Sequence, residues 1–143
     1  MAERKPPDHE PAGNVFLAGK IRSPLRWPAA AMLLISALAH VPVVAPGLAA
    51  TTYIGILFVL LIVVNLFLAV AMFLRDSLAV WALTALTLGL AFIAYVLSRT
   101  VGLPLQTDYI GDWVSTPGLA SFVSAGIGCV IAVTVLIRQR RAV

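Results

Sequence analysis

The sequence predicts an all-α integral membrane protein, a bundle of four transmembrane helices. Of its 143 residues, 61% are hydrophobic and 11% are charged, whereas roughly 25% are charged in an ordinary soluble domain. The mean hydropathy is +1.00, and the apolar residues fall in four long, continuous runs. Within a bilayer, backbone polar groups must be satisfied in a helix or a closed barrel, and barrel strands alternate apolar and polar residues. The continuous runs therefore predict helices.

Each run approaches the length of about 20 residues that a helix needs to cross the hydrocarbon core. The first run is the shortest and is interrupted by Pro42. We predict spans at residues 28–44, 53–74, 78–98 and 118–137.

Residues that begin or end helices agree with these limits. Ser77 is a predicted N-cap of the third span. Gly102, which tolerates a positive φ, and Pro104, which cannot continue a helix, mark the end of that span. Pro117 suits the first turn of the fourth span.

The basic residues predict the orientation of the chain. Of the 10 Lys and Arg residues, all but Arg99 lie before the first span, between the second and third, or after the fourth. Four spans place those three segments on one side of the membrane, and cytoplasmic segments carry the excess of Lys and Arg (the positive-inside rule). We therefore expect both termini in the cytoplasm.

The segments outside the spans are short. We expect residues 1–14 to be a disordered cytoplasmic tail, residues 15–27 a basic juxtamembrane segment, and residues 138–143 a basic cytoplasmic tail. The sequence GLAA at 47–50 also resembles a signal-peptide cleavage site. The 27 residues before the first apolar run are many for a signal peptide, so we expect the first span to be retained.

Few side chains in this sequence can carry chemistry. Cys129 is the only cysteine, which excludes an intrachain disulfide and a Cys-x-x-Cys metal site. The sequence has no glycine-rich phosphate loop and no recognisable catalytic triad. Away from their ends, the spans also lack the charged residues that ion-coupled transporters carry. We expect no enzymatic activity, and the net charge of +4 reflects topology rather than nucleic-acid binding.

Two features of the spans predict helix packing. Span four carries Ala120, Ser124, Gly128 and Ala132 at steps of four residues, and such a stripe of small side chains lets helices approach closely. Asn65, near the middle of span two, is expected to form an interhelical hydrogen bond. The stripe suits contacts within the bundle, with another membrane protein, or with a second copy of the chain in a homo-oligomer.

The predicted outer face gathers most of the remaining charge. It contains His40, Arg99, Asp108, Asp112 and Trp113. If the loop forms a helical turn, both aspartates lie on one side of it, and Arg99 can pair with either. On this hypothesis the loop is a structural lid. The other hypothesis is a binding site. One imidazole and two carboxylates would hold a divalent metal ion or contact a quinone head group, or His40 would be the axial ligand of a haem.

Three segments carry a resemblance to known proteins. They are residues 39–46 (AHVPVVAP), 53–58 (YIGILF) and 98–113 (SRTVGLP through IGDW). They resemble a family of uncharacterised small four-helix membrane proteins of actinobacteria and related bacteria. The resemblance implies the fold and a bacterial origin, and it places His40 and Trp113 in one pattern. It implies no activity.

Two classes of function follow from the sequence. The first is a non-enzymatic accessory or interaction protein that acts through helix packing and the loop at 99–117. The alternative is a ligand-handling protein that binds a metal, haem or quinone near His40, Asp108 and Asp112 and serves redox or transport machinery. The expected surroundings are the lipid bilayer and another membrane protein or a second copy of the chain, without nucleic acid.

Overall fold

Residues 21–141 are described by the computed structural model, and they form four α-helices. The helices are α1 (Arg26–Ala50), α2 (Thr52–Leu74), α3 (Leu78–Thr100) and α4 (Thr116–Arg141). The prediction of an all-α, four-helix fold is confirmed. The predicted tail at 1–14, the first part of the segment at 15–27, and residues 142–143 lie outside the described residues.

All four helices are long and apolar enough to cross a membrane. Many of their large apolar side chains are exposed on the outside of the bundle, among them Leu38, Phe67, Leu86 and Val130. A soluble monomer rarely exposes a contiguous apolar surface of this kind, whereas in a bilayer such a surface faces lipid. These are the features of a multi-pass membrane protein.

The helices pack as two hairpins that are joined through α1 and α4. α1 packs along α2 and along α4, and α3 packs along α4, while the contact between α2 and α3 is sparser. We call the end of the bundle that holds residues 21–25 and the turn at 75–77 the termini end. The opposite end, which holds Thr51 and the α3–α4 loop (residues 101–115), is the loop end.

The apolar core lies mainly in the half of the bundle nearer the termini end. It consists of Ala29, Ala30, Leu33, Leu68, Ala69, Met72, Val80, Trp81, Leu88, Ala125, Ala132 and Val135. In the half nearer the loop end, the buried residues include His40, Arg99, Gln106 and Ser121. Buried polar residues therefore occur in both halves, since Asp76 and Ser77 are buried at the termini end.

The first helix is longer than the predicted span. α1 continues through Pro42 and Pro46 to Ala50, whereas the sequence places the end of this span at residue 44. Proline removes a helical N–H, but transmembrane helices tolerate it. Both prolines lie on an exposed face of α1. The GLAA segment at 47–50 forms the last turn of α1.

The turn between α1 and α2 is a single extended residue, Thr51, with φ −154° and ψ 105°. Because the connection is one residue long, the start of α2 lies against the end of α1. A Cβ on Gly55 would lie 2.6 Å from the backbone N of Leu48 and would clash with the Leu48 side chain. Glycine is therefore required at position 55, because a backbone atom cannot move aside as a flexible side chain can.

A buried carboxylate organises the termini end. Asp76 is 3% exposed; its Oδ1 accepts a hydrogen bond from Trp81 Nε1 at 2.5 Å, and its Oδ2 accepts one from the backbone N–H of Ser23 at 2.7 Å. The backbone N–H of Ile21 donates to the Asp76 carbonyl oxygen at 2.7 Å. We call Ser23, Asp76 and Trp81 the Asp76 clasp. Next to it, Ser77 Oγ accepts from Val80 N, which confirms the predicted N-cap.

We expect Gly55→Ala to lower the free energy of unfolding by about 1–3 kcal/mol, the usual cost of overpacking, because the added methyl group meets the α1 backbone. Gly89→Ala is the matched control. A Cβ on Gly89 lies 3.4 Å from Cys129 Sγ, an ordinary contact, and alanine favours the helix by about 1 kcal/mol. Thermal unfolding in mild detergent measures both variants, and equal stability would contradict the close approach at Gly55.

Candidate functional site

The α3–α4 loop folds against the loop end of the bundle through tight turns. α3 ends where Gly102 adopts a φ of 82° and its N–H donates to the Leu97 carbonyl oxygen at 2.9 Å, the glycine-terminated helix end that the sequence predicts. Leu103 and Gln106 then exchange two backbone hydrogen bonds at 2.9 and 2.8 Å. Leu105, inside this turn, has a φ of 62°, a left-handed conformation that leucine rarely adopts.

Arg99 holds the two ends of this loop together. The residue is 8% exposed and lies in the last turn of α3. Its Nη1 donates to the Tyr109 carbonyl oxygen at 3.3 Å, and its Nη2 donates to Ser115 Oγ at 3.2 Å. Its guanidinium group lies 4.9 Å from the Tyr95 ring centre and 5.0 Å from that of Tyr109, so it also makes two cation–π contacts.

The two predicted acidic partners of Arg99 are in different situations. Asp112 Oδ2 lies 3.6 Å from Arg99 Nη1, and the Asp112 side chain is 50% exposed. Asp108 is exposed and forms no ion pair within residues 21–141. The loop here consists of successive turns, with Gly111 at a φ of 83°, and not of the helical turn that would place both aspartates on one side. Because an exposed ion pair contributes only ~0–1 kcal/mol, the neutral partners of Arg99 matter more than Asp112.

Trp113 joins the same cluster through Tyr95. The Tyr95 hydroxyl donates to the Trp113 carbonyl oxygen at 3.2 Å, and the two rings meet edge to face with centres 6.3 Å apart. The Trp113 side chain remains partly exposed. Arg99, Asp112 and Trp113 therefore belong to one assembly at the loop end.

His40 does not belong to that assembly. It is buried inside the bundle, where Nδ1 lies 2.7 Å from the Ser36 carbonyl oxygen and Nε2 lies 3.4 Å from Ser121 Oγ. A carbonyl oxygen can only accept, so Nδ1 carries a proton, and in the neutral ring Nε2 accepts from the Ser121 hydroxyl. The Phe58 ring covers the imidazole, with ring centres 5.4 Å apart.

The predicted ligand site of His40, Asp108 and Asp112 is not formed. Within residues 21–141, no three His, Cys, Asp or Glu side chains are placed to share one metal ion. The physical reason is that His40 occupies the face of α1 that packs on α2 and α4, while both aspartates lie on the exposed loop. The His40 Nε2 atom that would bind a haem iron is turned toward Ser121.

Asn65 and His40 are part of a chain of buried polar groups. Asn65 is fully buried and its Nδ2 donates to Ser36 Oγ at 3.0 Å, across the α1–α2 contact. Ser124 Oγ donates to the Ser121 carbonyl oxygen at 3.1 Å. We call Ser36, His40, Asn65, Ser121 and Ser124 the polar column, and it links α1, α2 and α4. Sequence reasoning missed the two serines that contact His40, although Ser36 and His40 are spaced for one helix face.

The stripe of small residues on α4 faces the inside of the bundle. Ser124, Gly128 and Ala132 are buried, and Ala120 is half-buried. A Cβ on Gly128 would lie 3.0 Å from Met32 Cβ on α1 and would also clash with the side chain of Leu88 on α3. The stripe thus allows α1, α3 and α4 to pack together, and it is not a free surface for a partner.

No protein-family model matches the chain, and no curated protein or solved structure is similar enough to match it. The roles of these residues are therefore inferred from their geometry.

We expect Arg99→Ala to lower the free energy of unfolding by about 2–3 kcal/mol, because it removes hydrogen bonds from a charged group to Tyr109 and Ser115. Asp112→Asn should cost at most about 1 kcal/mol, since its ion pair is half exposed. Thermal unfolding of the single and double variants measures both effects. If Arg99→Ala combined with Asp112→Asn were as stable as the wild type, the ion pair and not the neutral contacts would be the main contribution of Arg99.

Proposed function

We propose that the protein is a non-enzymatic accessory protein of a bacterial plasma membrane that contacts another membrane protein through the α3–α4 loop. The observation that carries this proposal is the combination of a firmly held loop with outward-facing apolar side chains. The exposed apolar or aromatic residues of the loop are Leu105, Tyr109, Ile110, Trp113 and Val114.

The turn around Leu105 favours a loop that contacts a partner over a loop that only covers the end of the bundle. Leu105 is 90% exposed while its polar neighbour Gln106 is buried, the reverse of what a loop in contact only with water would favour. A residue in an unfavourable backbone conformation persists only where its surroundings hold it there. The Tyr53 hydroxyl supplies one such contact, because it donates a hydrogen bond to the Pro104 carbonyl oxygen.

The distribution of charge supports the orientation of the protein. Within residues 21–141, six arginines and Asp76 belong to the termini end, whereas Arg99, Asp108 and Asp112 belong to the loop end. Because cytoplasmic segments carry the excess of basic residues, this distribution favours a cytoplasmic termini end and an outward-facing loop. The apolar side chains of the loop would then be available to partners on the outer side of the membrane.

The ligand-handling alternative is not favoured by the same geometry. His40 is enclosed in the polar column, and the two aspartates lie on the exposed loop, where Asp112 contacts Arg99. A surface contact needs no such convergence of side chains, so the interaction hypothesis fits the arrangement better.

The orientation is tested with single cysteines in a Cys129→Ala background. We expect a cysteine at the exposed position 108 to react with a membrane-impermeant maleimide in intact cells. A cysteine at the exposed position 75 should react only after the membrane is opened, because it lies at the basic, termini end. Labelling at position 75 but not at 108 in intact cells would reverse the orientation.

The interaction is tested with a photo-crosslinking amino acid at position 105, in cells that contain the protein's natural membrane partners. We expect an adduct of defined mass from position 105 and none from position 130, which is exposed near the middle of α4 and serves as a lipid-facing control. Arg99→Ala should abolish the adduct because it releases the loop. The proposal fails if positions 105, 110 and 114 give no adduct, or if position 130 gives the same one.

A further inference from the structure

A small cavity lies at the termini end, away from the α3–α4 loop. Its volume is about 260 Å³, and it is lined by Arg22, Arg26, Phe73 and Asp76. The segment that precedes α1 passes here over the end of α2, so two arginines and one aspartate line the same space.

Asp76 balances only part of the positive charge in this cavity, since one carboxylate stands against two guanidinium groups. The Asp76 carboxylate already accepts hydrogen bonds from Trp81 Nε1 and from the Ser23 backbone, and within residues 21–141 it pairs with neither arginine. Arg26 Nε is buried and has no hydrogen-bond partner among the described residues. A buried N–H group without a partner is costly. Among the described residues, Arg22 and Arg26 also lack a carboxylate within ion-pair distance.

The backbone holds Arg22 in place beside Arg26. Arg22 has a φ of 51°, a left-handed conformation that is uncommon outside glycine. Both neighbours of Arg22 form hydrogen bonds with Asp76. The backbone N–H of Ile21 donates to the Asp76 carbonyl oxygen, and that of Ser23 donates to Asp76 Oδ2. Asp76 therefore acts as a positioning residue that fixes the backbone from which the Arg22 side chain extends.

We propose that this cavity binds a phosphate group through the guanidinium groups of Arg22 and Arg26. Guanidinium groups present pairs of N–H donors that match the oxygens of a phosphate, and they keep their charge at every physiological pH. A bound phosphate would offset the surplus positive charge of the two arginines.

The surroundings of the cavity suit a phospholipid head group. Trp27 is exposed next to the cavity and its ring centre lies 4.9 Å from that of Phe73. Tryptophan is enriched at the level of the head groups, which places the two arginines at the depth of lipid phosphates. A soluble phosphate compound would present the same group, so the experiment must distinguish the two sources. The inference is independent of the proposed function of the loop, which lies at the opposite end.

The test uses the full chain in mild detergent at moderate salt, titrated with phosphatidylglycerol and, separately, with inorganic phosphate. Native mass spectrometry counts bound lipid, and calorimetry measures the affinity for phosphate. Diacylglycerol, which has the same tails and no phosphate, is the control ligand. We expect one phosphatidylglycerol per chain and no comparable retention of diacylglycerol. Binding of inorganic phosphate with the same dependence on the two arginines would support the site and assign it to a soluble phosphate compound.

Arginine variants distinguish binding in the cavity from binding to the basic surface of the termini end as a whole. Arg22→Gly and Arg26→Gln should each weaken binding by about tenfold or more. Arg75→Gln and Arg138→Gln remove the same charge from exposed positions at the same end, and they should change binding by less than about twofold because exposed charges are screened. Arg22→Gly suits its positive φ, so this variant tests the site even if Arg26→Gln fails to fold. Equal losses in all four variants, or equal retention of diacylglycerol, would overturn the proposal.

Discussion

Lipid solvates the outside of an apolar helix about as well as a second apolar helix does, so helices in a membrane need more than apolar burial to stay together. In this bundle the additional contacts are polar and lie at three levels. The Asp76 clasp ties the segment before α1 to the start of α3. The polar column links α1, α2 and α4. Arg99 closes the α3–α4 loop. Small residues bring the helix backbones close enough for these contacts to form.

The two ends of the bundle use buried charge differently. At the termini end, a carboxylate is enclosed by hydrogen-bond donors, while guanidinium groups nearby keep surplus charge. At the loop end, the guanidinium group itself is enclosed, between two tyrosine rings and a carbonyl oxygen. A cavity adjoins the first arrangement, whereas in the second Asp112 already pairs with the guanidinium group. Ligand chemistry is therefore proposed for the termini end, and surface contact for the loop.

The sequence predicted the positions of side chains well where a prediction depended on neighbours along the chain. Gly102 ends α3 as predicted, because a glycine with a positive φ stops a helix by local backbone chemistry and Pro104 cannot continue it. Arg99 and Trp113 meet around Tyr95 because one short loop holds them near the end of the same helix. The grouping of His40 with the aspartates was wrong. The sequence indicates how near His40 lies to the end of the span, but not which face of α1 it occupies.

Hydrophobic length and local capping residues are properties of the sequence by itself, and they determined the number of helices, their approximate limits and the cap at Ser77. The rotation of each helix about its axis depends on how all four pack, and only the tertiary structure decided it. That rotation turns His40 toward Ser121 and away from the loop, buries Asp76 against Trp81, and makes glycine necessary at position 55. The continuation of α1 through Pro42 was likewise visible only in the tertiary structure, because a proline does not by itself end a transmembrane helix.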